Sequence, residues 1–303
     1  MALPRKILVG VQFYPEAVLT PGSRTAVEQG VAIARASKGS LTLLHANVAD
    51  EFWDAESDRL ACVEATTRSQ CEAALEGILD AVPFHEVPVR ISVAQERADH
   101  AIIREVLKED IELVVVGCRS RTDAHALPIG SVSRRLVHHC PCLVWVVKSE
   151  IERLPRSVLV GTDLSPVGTR AIETALSVAR ASNAKLHVAH AFQLPFDVQR
   201  AGGSSVSRYE RGARDAARDS IAKTLEQLGG YPRARIHVAR TSPAALLLEA
   251  ERRFEIELTV LGTVSRGGLP GLILGNTAER LLDRLRNSIL AVKPADFVCA
   301  LDA

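Results

Sequence analysis

The stretch Ser157-Val158-Leu159-Val160-Gly161-Thr162-Asp163-Leu164-Ser165-Pro166 reads as a buried strand that runs straight into a helix start. Its first half is apolar without alternation, the pattern of a strand covered on both faces. Ser165 offers a side-chain acceptor at the N-cap, and Pro166 takes the first helical position, where a missing N–H is no loss. The alternation continues downstream. A helix to about Ser182 precedes a strand at Leu186 to His190. A polar stretch with Gly202-Gly203-Ser204-Ser205 leads to a long Arg- and Ala-rich helix ending at Gly229-Gly230. Arg235 to Ala239 is a third strand, and Ser242-Pro243 caps a third helix. Leu258-Thr259-Val260-Leu261 is a fourth strand, Gly275 to Arg286 a fourth helix, and Ile289 to Val292 a fifth strand. Strands alternating with helices imply a parallel sheet with helices on both faces.

Upstream, the same unit occurs again. Ala26-Val27-Glu28 matches Ala171-Ile172-Glu173, and Ala34-Arg35-Ala36-Ser37 matches Ala179-Arg180-Ala181-Ser182. Gly117 matches Gly262, Gly130 matches Gly275, and Val147-Lys148 matches Val292-Lys293. All these pairs share an offset of 145 residues. Only the first strand departs from it: Ile7-Leu8-Val9-Gly10 aligns with Val158-Leu159-Val160-Gly161 at 151, so the first copy carries six extra residues in its first loop. The fold class is therefore α/β, with two tandem doubly wound domains, residues 1–150 and 151–303, each a five-stranded parallel sheet covered on both faces.

The 303 residues suit about two domains. Aromatics are only 4%, so the cores are expected to be aliphatic. A formal charge of +1 leaves no basic footprint for nucleic acid. No stretch approaches the roughly 20 apolar residues of a membrane span, and the N-terminus does not read as a signal peptide. The six cysteines lack a disulfide rhythm, and a reduced cytoplasm is the expected setting. Cys140-Pro141-Cys142 after His138-His139 reads as a helix stop and strand start rather than a metal cluster, which wants two residues between thiolates and a second pair elsewhere. His45 and His190 occupy equivalent strand ends and read as satisfied histidines, not ligands. Arg208, Arg211, Arg214 and Arg218 form one helix face, read as solvated and paired with Glu210, Asp215 and Asp219.

Ligands in open parallel sheets sit outside the carboxyl ends of the strands. Two loops of the second copy qualify. One is Gly161-Thr162-Asp163-Leu164-Ser165, and the other runs from Gly262 through Ser265-Arg266-Gly267-Gly268 to Gly275-Asn276-Thr277. A glycine-rich segment entering a helix can wrap a phosphate chain, with Arg266 adding charge. The dinucleotide and Walker fingerprints are absent, and no nucleophile elbow surrounds Ser165.

The second of these loops resembles the nucleotide-binding loop of the universal stress protein family: Gly, two residues, Gly, nine residues, Gly, then Ser or Thr. Gly262, Ser265, Gly275 and Asn276 keep that spacing, as do Gly117, Ser120, Gly130 and Ser131 in the first copy. Serine replaces the middle glycine in both. Asp163 stands at the family's adenine-contacting position, and Gln12 replaces it in the first copy. Asp123 and His125 stiffen the first copy's loop. The resemblance covers nearly the whole chain and is strongest to tandem members. It implies a non-enzymatic stress-response protein that requires no cofactor, with ATP or AMP as the nucleotide to consider and slow ATP hydrolysis left open. The site it implies is Thr162, Asp163, Ala191, Gly262, Ser265, Arg266, Gly275, Asn276 and Thr277. Its degenerate equivalent is Gln12, Gly117, Ser120, Gly130 and Ser131, and no metal is expected. Single domains of the family often dimerise through the fifth strand, so Leu143 to Val147 and Ile289 to Val292 are expected to pair within one chain as a pseudo-dimer, with a homodimer also open. Two alternatives remain at this point: a binder of an apolar or lipid-like small molecule between domains, and a pure protein-interaction scaffold.

Overall fold

The structure is a computed structural model that describes residues 2–14, 18–47, 68–84, 86–118, 129–148, 153–201, 203–263 and 275–299. The chain divides into two compact units, one comprising Ala2–Leu154 with Val298–Ala303, the other Pro155–Phe297.

The first unit runs β1 (Lys6–Gly10), α1 (Pro21–Ser37), β2 (Ser40–Ala46), α2 (Arg68–Ala81), β3 (Val89–Ala94), α3 (Ala98–Glu109), β4 (Leu113–Gly117), α4 (Ser131–His139) and β5 (Leu143–Val147). Its strands lie in the order β3-β2-β1-β4-β5, all pairs parallel. The second unit runs β6 (Ser157–Gly161), α5 (Pro166–Ser182), β7 (Lys185–Phe192), α6 (Phe196–Ala201), α7 (Gly203–Gln227), β8 (Ala234–Arg240), α8 (Pro243–Phe254), β9 (Leu258–Gly262), α9 (Asn276–Leu282) and β10 (Ser288–Val292). Its order, β10-β9-β6-β7-β8, is the same arrangement, again parallel.

The apolar runs become buried strands as expected. Leu8, Val9, Leu43, Val114, Val115 and Val144 are fully buried in the first unit, as are Leu159, Val160, Val188 and Val260 in the second. Among the described residues, Trp145 is the exception to an aliphatic core, at 2% exposure. α1 packs on β1 and β4, and α5 packs on β6 and β9, the same positions in the two copies.

Capping follows the residues read from sequence. Ser165 Oγ accepts the Gly168 N–H and Ser242 Oγ the Ala245 N–H, each with proline in the first turn. Two element expectations need correction. The fourth helix of the second copy stops at Leu282 rather than Arg286. The Glu251 carboxylate, 8% exposed, accepts the N–H groups of Arg286 (2.7 Å) and Asn287 (2.9 Å), which commits both to a non-helical turn. Asn287 Nδ2 then donates to Ile256 O and Thr259 Oγ1, closing a buried network ahead of β10. The polar stretch before the long helix also carries a short helix of its own, α6.

Candidate functional site

β6 is the point where strand order reverses. The chain leaves it toward β7 and β8 on one side and returns at β9 on the other. The carboxyl ends of β6 and β9 therefore flank the crevice in which open α/β sheets hold ligands. The first turn of α5 lies against the end of β9, since a Cβ on Gly262 would come within 2.7 Å of Val167 Cγ1.

The loop after β6 is tightly folded. Thr162 donates its N–H to Ala189 O at 3.0 Å. Its Oγ1 accepts the Leu164 N–H at 3.1 Å, and Asp163 Oδ1 accepts the Ser165 N–H at 3.0 Å. Leu164 is thereby held at φ 63°, a left-handed conformation that strains a non-glycine residue by about 1–3 kcal/mol. The left-handed Lys38, Asp110, Asn183 and Glu255 are all helix C-caps, where such a conformation is routine; Leu164 is not. Gly168 makes the turn possible: a Cβ there would sit 2.5 Å from Thr162 Oγ1 and 2.9 Å from Asp163 Oδ1. Asp163 is half-buried, and one of its oxygens is engaged by the turn.

The loop after β9 is anchored at both described ends. Thr263, 2% exposed, donates both its N–H (3.0 Å) and its Oγ1–H (3.2 Å) to Val292 O. The Gly275 N–H donates to Thr263 O at 2.7 Å. Thr263 and Gly275 are thus held together beside the crevice. Gly275 precedes α9 at φ −59°, ψ 137°, with no side-chain cap. Thr277 is half-buried in the first turn of α9, and Ala191 is half-buried on β7 opposite Ala239. Ser265 and Arg266 lie outside the described residues, as does the side chain of Asn276. The structure therefore brings Thr162, Asp163, Gly262 and Gly275 to one edge.

The first copy is built differently there. Ser23 stands where the second copy has Gly168, and its Oγ accepts the Gln12 N–H at 2.8 Å. Gln12 itself is exposed. In the first loop Phe13 forms an antiparallel bridge with Leu19, and the Tyr14 N–H donates to Val18 O at 2.8 Å. The Phe13 ring lies on His45, centroids 4.2 Å apart, at the carboxyl ends of β1 and β2. Gly117 ends β4, Gly130 caps α4 through backbone alone, and Ser131 is exposed in the first turn. Ser120, Asp123 and His125 lie outside the described residues.

The other groups singled out from sequence have structural roles. His45 Nδ1 donates to Val11 O at 3.1 Å, and His190 Nδ1 donates to Thr162 O at 2.9 Å, so each histidine ties its strand end to the neighbouring loop. Burial lowers the His45 pKa, an effect only partly offset by that carbonyl. On α7, Arg214 pairs with Glu210 at 3.1 Å, and Glu210 also reaches Arg240 at 3.4 Å. Arg218 instead points to Ile236 O at 3.5 Å. A polar recess of about 280 Å³ lies at the β3 edge, and its two arginines are already paired, Arg68 with Glu72 and Arg90 with Glu105. Among the described residues no group of three or more His, Cys, Asp or Glu could hold a metal. No helix among them is long and apolar enough to cross a membrane.

Sequence reasoning did not single out Gly168, Leu164 or Ser23. A glycine in the first turn of α5, where the first copy has serine, was the available signal.

Comparison with known proteins gives a consistent picture. The sequence model of the universal stress protein family matches residues 4–148 and 155–293. A universal stress protein E homolog of Haemophilus influenzae is 28% identical over 208 residues, which span 64% of this chain and 66% of that protein. A universal stress protein of Mycolicibacterium smegmatis is 28% identical over 243 residues, 78% of this chain and 79% of its own. Universal stress protein E of Escherichia coli K12 is 25% identical over 225 residues, 70% of each chain. The crystal structure of a universal stress protein from Archaeoglobus fulgidus superposes with a TM-score of 0.69 at 18% identity, covering 95% of this chain and 97% of that one, a likeness of fold.

Proposed function

The chain belongs to the universal stress protein family, and from that premise we propose that its second copy binds an adenine nucleotide, ATP or AMP, at the β6–β9 switch point. The reading makes the protein a non-enzymatic switch in a stress response, in a cytoplasmic setting, with the first copy mainly structural. One observation carries it. Two loops start beside the crevice, one holding Asp163 in a strained turn and the other, which keeps the family's spacing, pinned at its described ends by Thr263 and Gly275. Strain in a non-glycine residue at a ligand edge is expected where a carboxylate is being held for recognition. Ser265 and Arg266 would face the phosphates in this reading, with Thr277 and the Asn276 backbone at the helix start and Ala191 beside the base.

Native mass spectrometry of the full chain with and without ATP tests the proposal. A bound nucleotide mass is expected. A persistent apolar mass would replace this reading with that of a lipid-like binder, and no bound mass would favour a scaffold.

Pairing of the fifth strands is likewise a proposal. β5 and β10 are apolar runs at the outer position of their own sheets, and such a strand needs a partner or a cover. Hydrogen exchange on the full chain should show the β5 amides that point away from β4 as protected as those that point toward it; rapid exchange of the outward set would oppose the pairing.

A further inference from the structure

We propose that Cys140 and Cys142 form a dithiol redox site, which a small-molecule disulfide such as glutathione disulfide converts to an intrachain disulfide. Cys140 follows α4 in extended conformation (φ −70°, ψ 129°), its N–H bound to Leu136 O at 2.9 Å. Pro141 ends the helix. The chain bends at Pro141 and Cys142, and the two Sγ atoms lie 3.5 Å apart. Even a fully extended pair of residues spans at most roughly 7 Å between Cα atoms, and the bend shortens that span into disulfide reach. Bond formation needs the sulfurs to close by about 1.5 Å, a shift that rotation of the half-buried Cys142 side chain can supply.

The pair is particular to the first copy. Leu285 and Asn287 stand at the equivalent positions of the second, so the scaffold itself does not require thiols at this junction. Burial divides the labour: Cys140 is fully buried, whereas Cys142 is only half-buried and is the more accessible of the two. The Cys142 thiolate attacks one sulfur of the oxidant and releases one glutathione thiolate. The Cys140 thiolate then attacks the Cys142 sulfur of the mixed disulfide and releases the second. The protein loses two protons and two electrons, and one glutathione disulfide becomes two glutathiones. Burial and the neighbouring Cys140 raise the Cys142 pKa, so the thiolate fraction is small at neutral pH and the reaction is slow. That suits a record of sustained oxidation rather than rapid peroxide removal.

The test is incubation of the full chain in glutathione disulfide–glutathione mixtures, followed by alkylation, intact mass and peptide mapping. The expected product has lost two hydrogens, with Cys140 and Cys142 linked in one peptide. Cys140→Ser should instead retain one glutathione on Cys142. The wild-type peptide map is decisive even if that variant folds poorly. Alkylation of both thiols at every ratio, a stable glutathione adduct on wild-type Cys142, or a link from either residue to another cysteine would overturn the proposal.

Discussion

His187 on β7 and His237 on β8 face each other with Nδ1 of the first 2.9 Å from Nε2 of the second. The rings are nearly parallel, at 4°, and Phe254 from α8 packs on both, at 4.5 and 4.7 Å. One hydrogen bond between two imidazoles needs a donor on one ring and a lone pair on the other, so the pair is stable with both rings neutral.

The environment enforces that neutrality. Burial first, then His237, Lys185 and Arg235, lower the His187 pKa from 6.5 to about 4. Burial, then Arg253 and Arg218, lower that of His237. Both folded values lie below the unfolded one, so the unfolded chain binds more protons as pH falls through this range. Stability is therefore expected to fall between about pH 6.5 and pH 4, by on the order of 3 kcal/mol from His187 alone. Urea midpoints across that range measure it. His187→Phe should flatten the drop, and an unchanged slope would show that other groups cause it.

Glu251 is expected to matter more than a single surface carboxylate. Its Oε1 takes two backbone N–H groups in a buried site, so Glu251→Ala leaves both unsatisfied, at about 1–3 kcal/mol each. Glu251→Gln keeps an oxygen in place and should cost only about 1 kcal/mol, the charge-assisted increment. Denaturant unfolding distinguishes the two. Equal losses would mean that the negative charge, which both variants remove, rather than an acceptor oxygen alone, is what the site needs.

The close approach of α1 to β4 predicts an unusually sensitive glycine. A Cβ on Gly117 would lie 2.0 Å from the Gly22 carbonyl oxygen, and one on Gly22 would lie 2.2 Å from Cys118 O. Both obstacles are backbone and cannot rotate away. Gly117→Ala should cost at least about 3 kcal/mol, the upper range of overpacking. Gly262→Ala meets only the end of the Val167 side chain and should cost less. Thermal melts of the two variants test the ranking.

These residues also mark what sequence could reveal. The strands were legible because a parallel strand buried on both faces is an unbroken apolar run, as at Ser157–Gly161. The starts of α5 and α8 were legible because Ser165-Pro166 and Ser242-Pro243 act on N–H groups only three residues away. The end of α9 was not, because the group that stops it, Glu251, lies 35 residues upstream of Arg286. The His187–His237 contact spans 50 residues and depends on the register of β7 against β8. At the candidate site, Asp163 and the loop spacing were readable as a pattern. The strained Leu164 and the room left by Gly168 required the turn itself.

Asp163 has two roles that a conservative substitution separates. Asp163→Ala removes the acceptor for the Ser165 N–H as well as any ligand contact, so a loss of binding could follow from a disturbed turn. Asp163→Asn keeps an oxygen for Ser165 while replacing the other oxygen with a donor. If the second oxygen contacts the nucleotide, Asn should weaken binding by about 10-fold or more with little change in melting temperature, the 1.4 kcal/mol or more expected for a lost hydrogen bond to a charged group. Unchanged affinity would remove Asp163 from the proposed site.

The two copies should also differ in stoichiometry. Phe13 covers His45 at the strand ends where a ligand would enter the first copy, and the Phe13–Leu19 bridge holds it there. Calorimetric titration with ATP is therefore expected to saturate at one nucleotide per chain, and two would contradict the asymmetry. Phe13→Ala then identifies its cause. If the ring is the obstacle, stoichiometry should rise toward two. If it stays at one, the chemistry of the loop is at fault: Gln12 is exposed where Asp163 is held in its turn, and Ser23 fills the space that Gly168 leaves open. Adding Gln12→Asp and Ser23→Gly to Phe13→Ala should in that case be needed together, because the carboxylate can form the turn only where the helix start carries no Cβ.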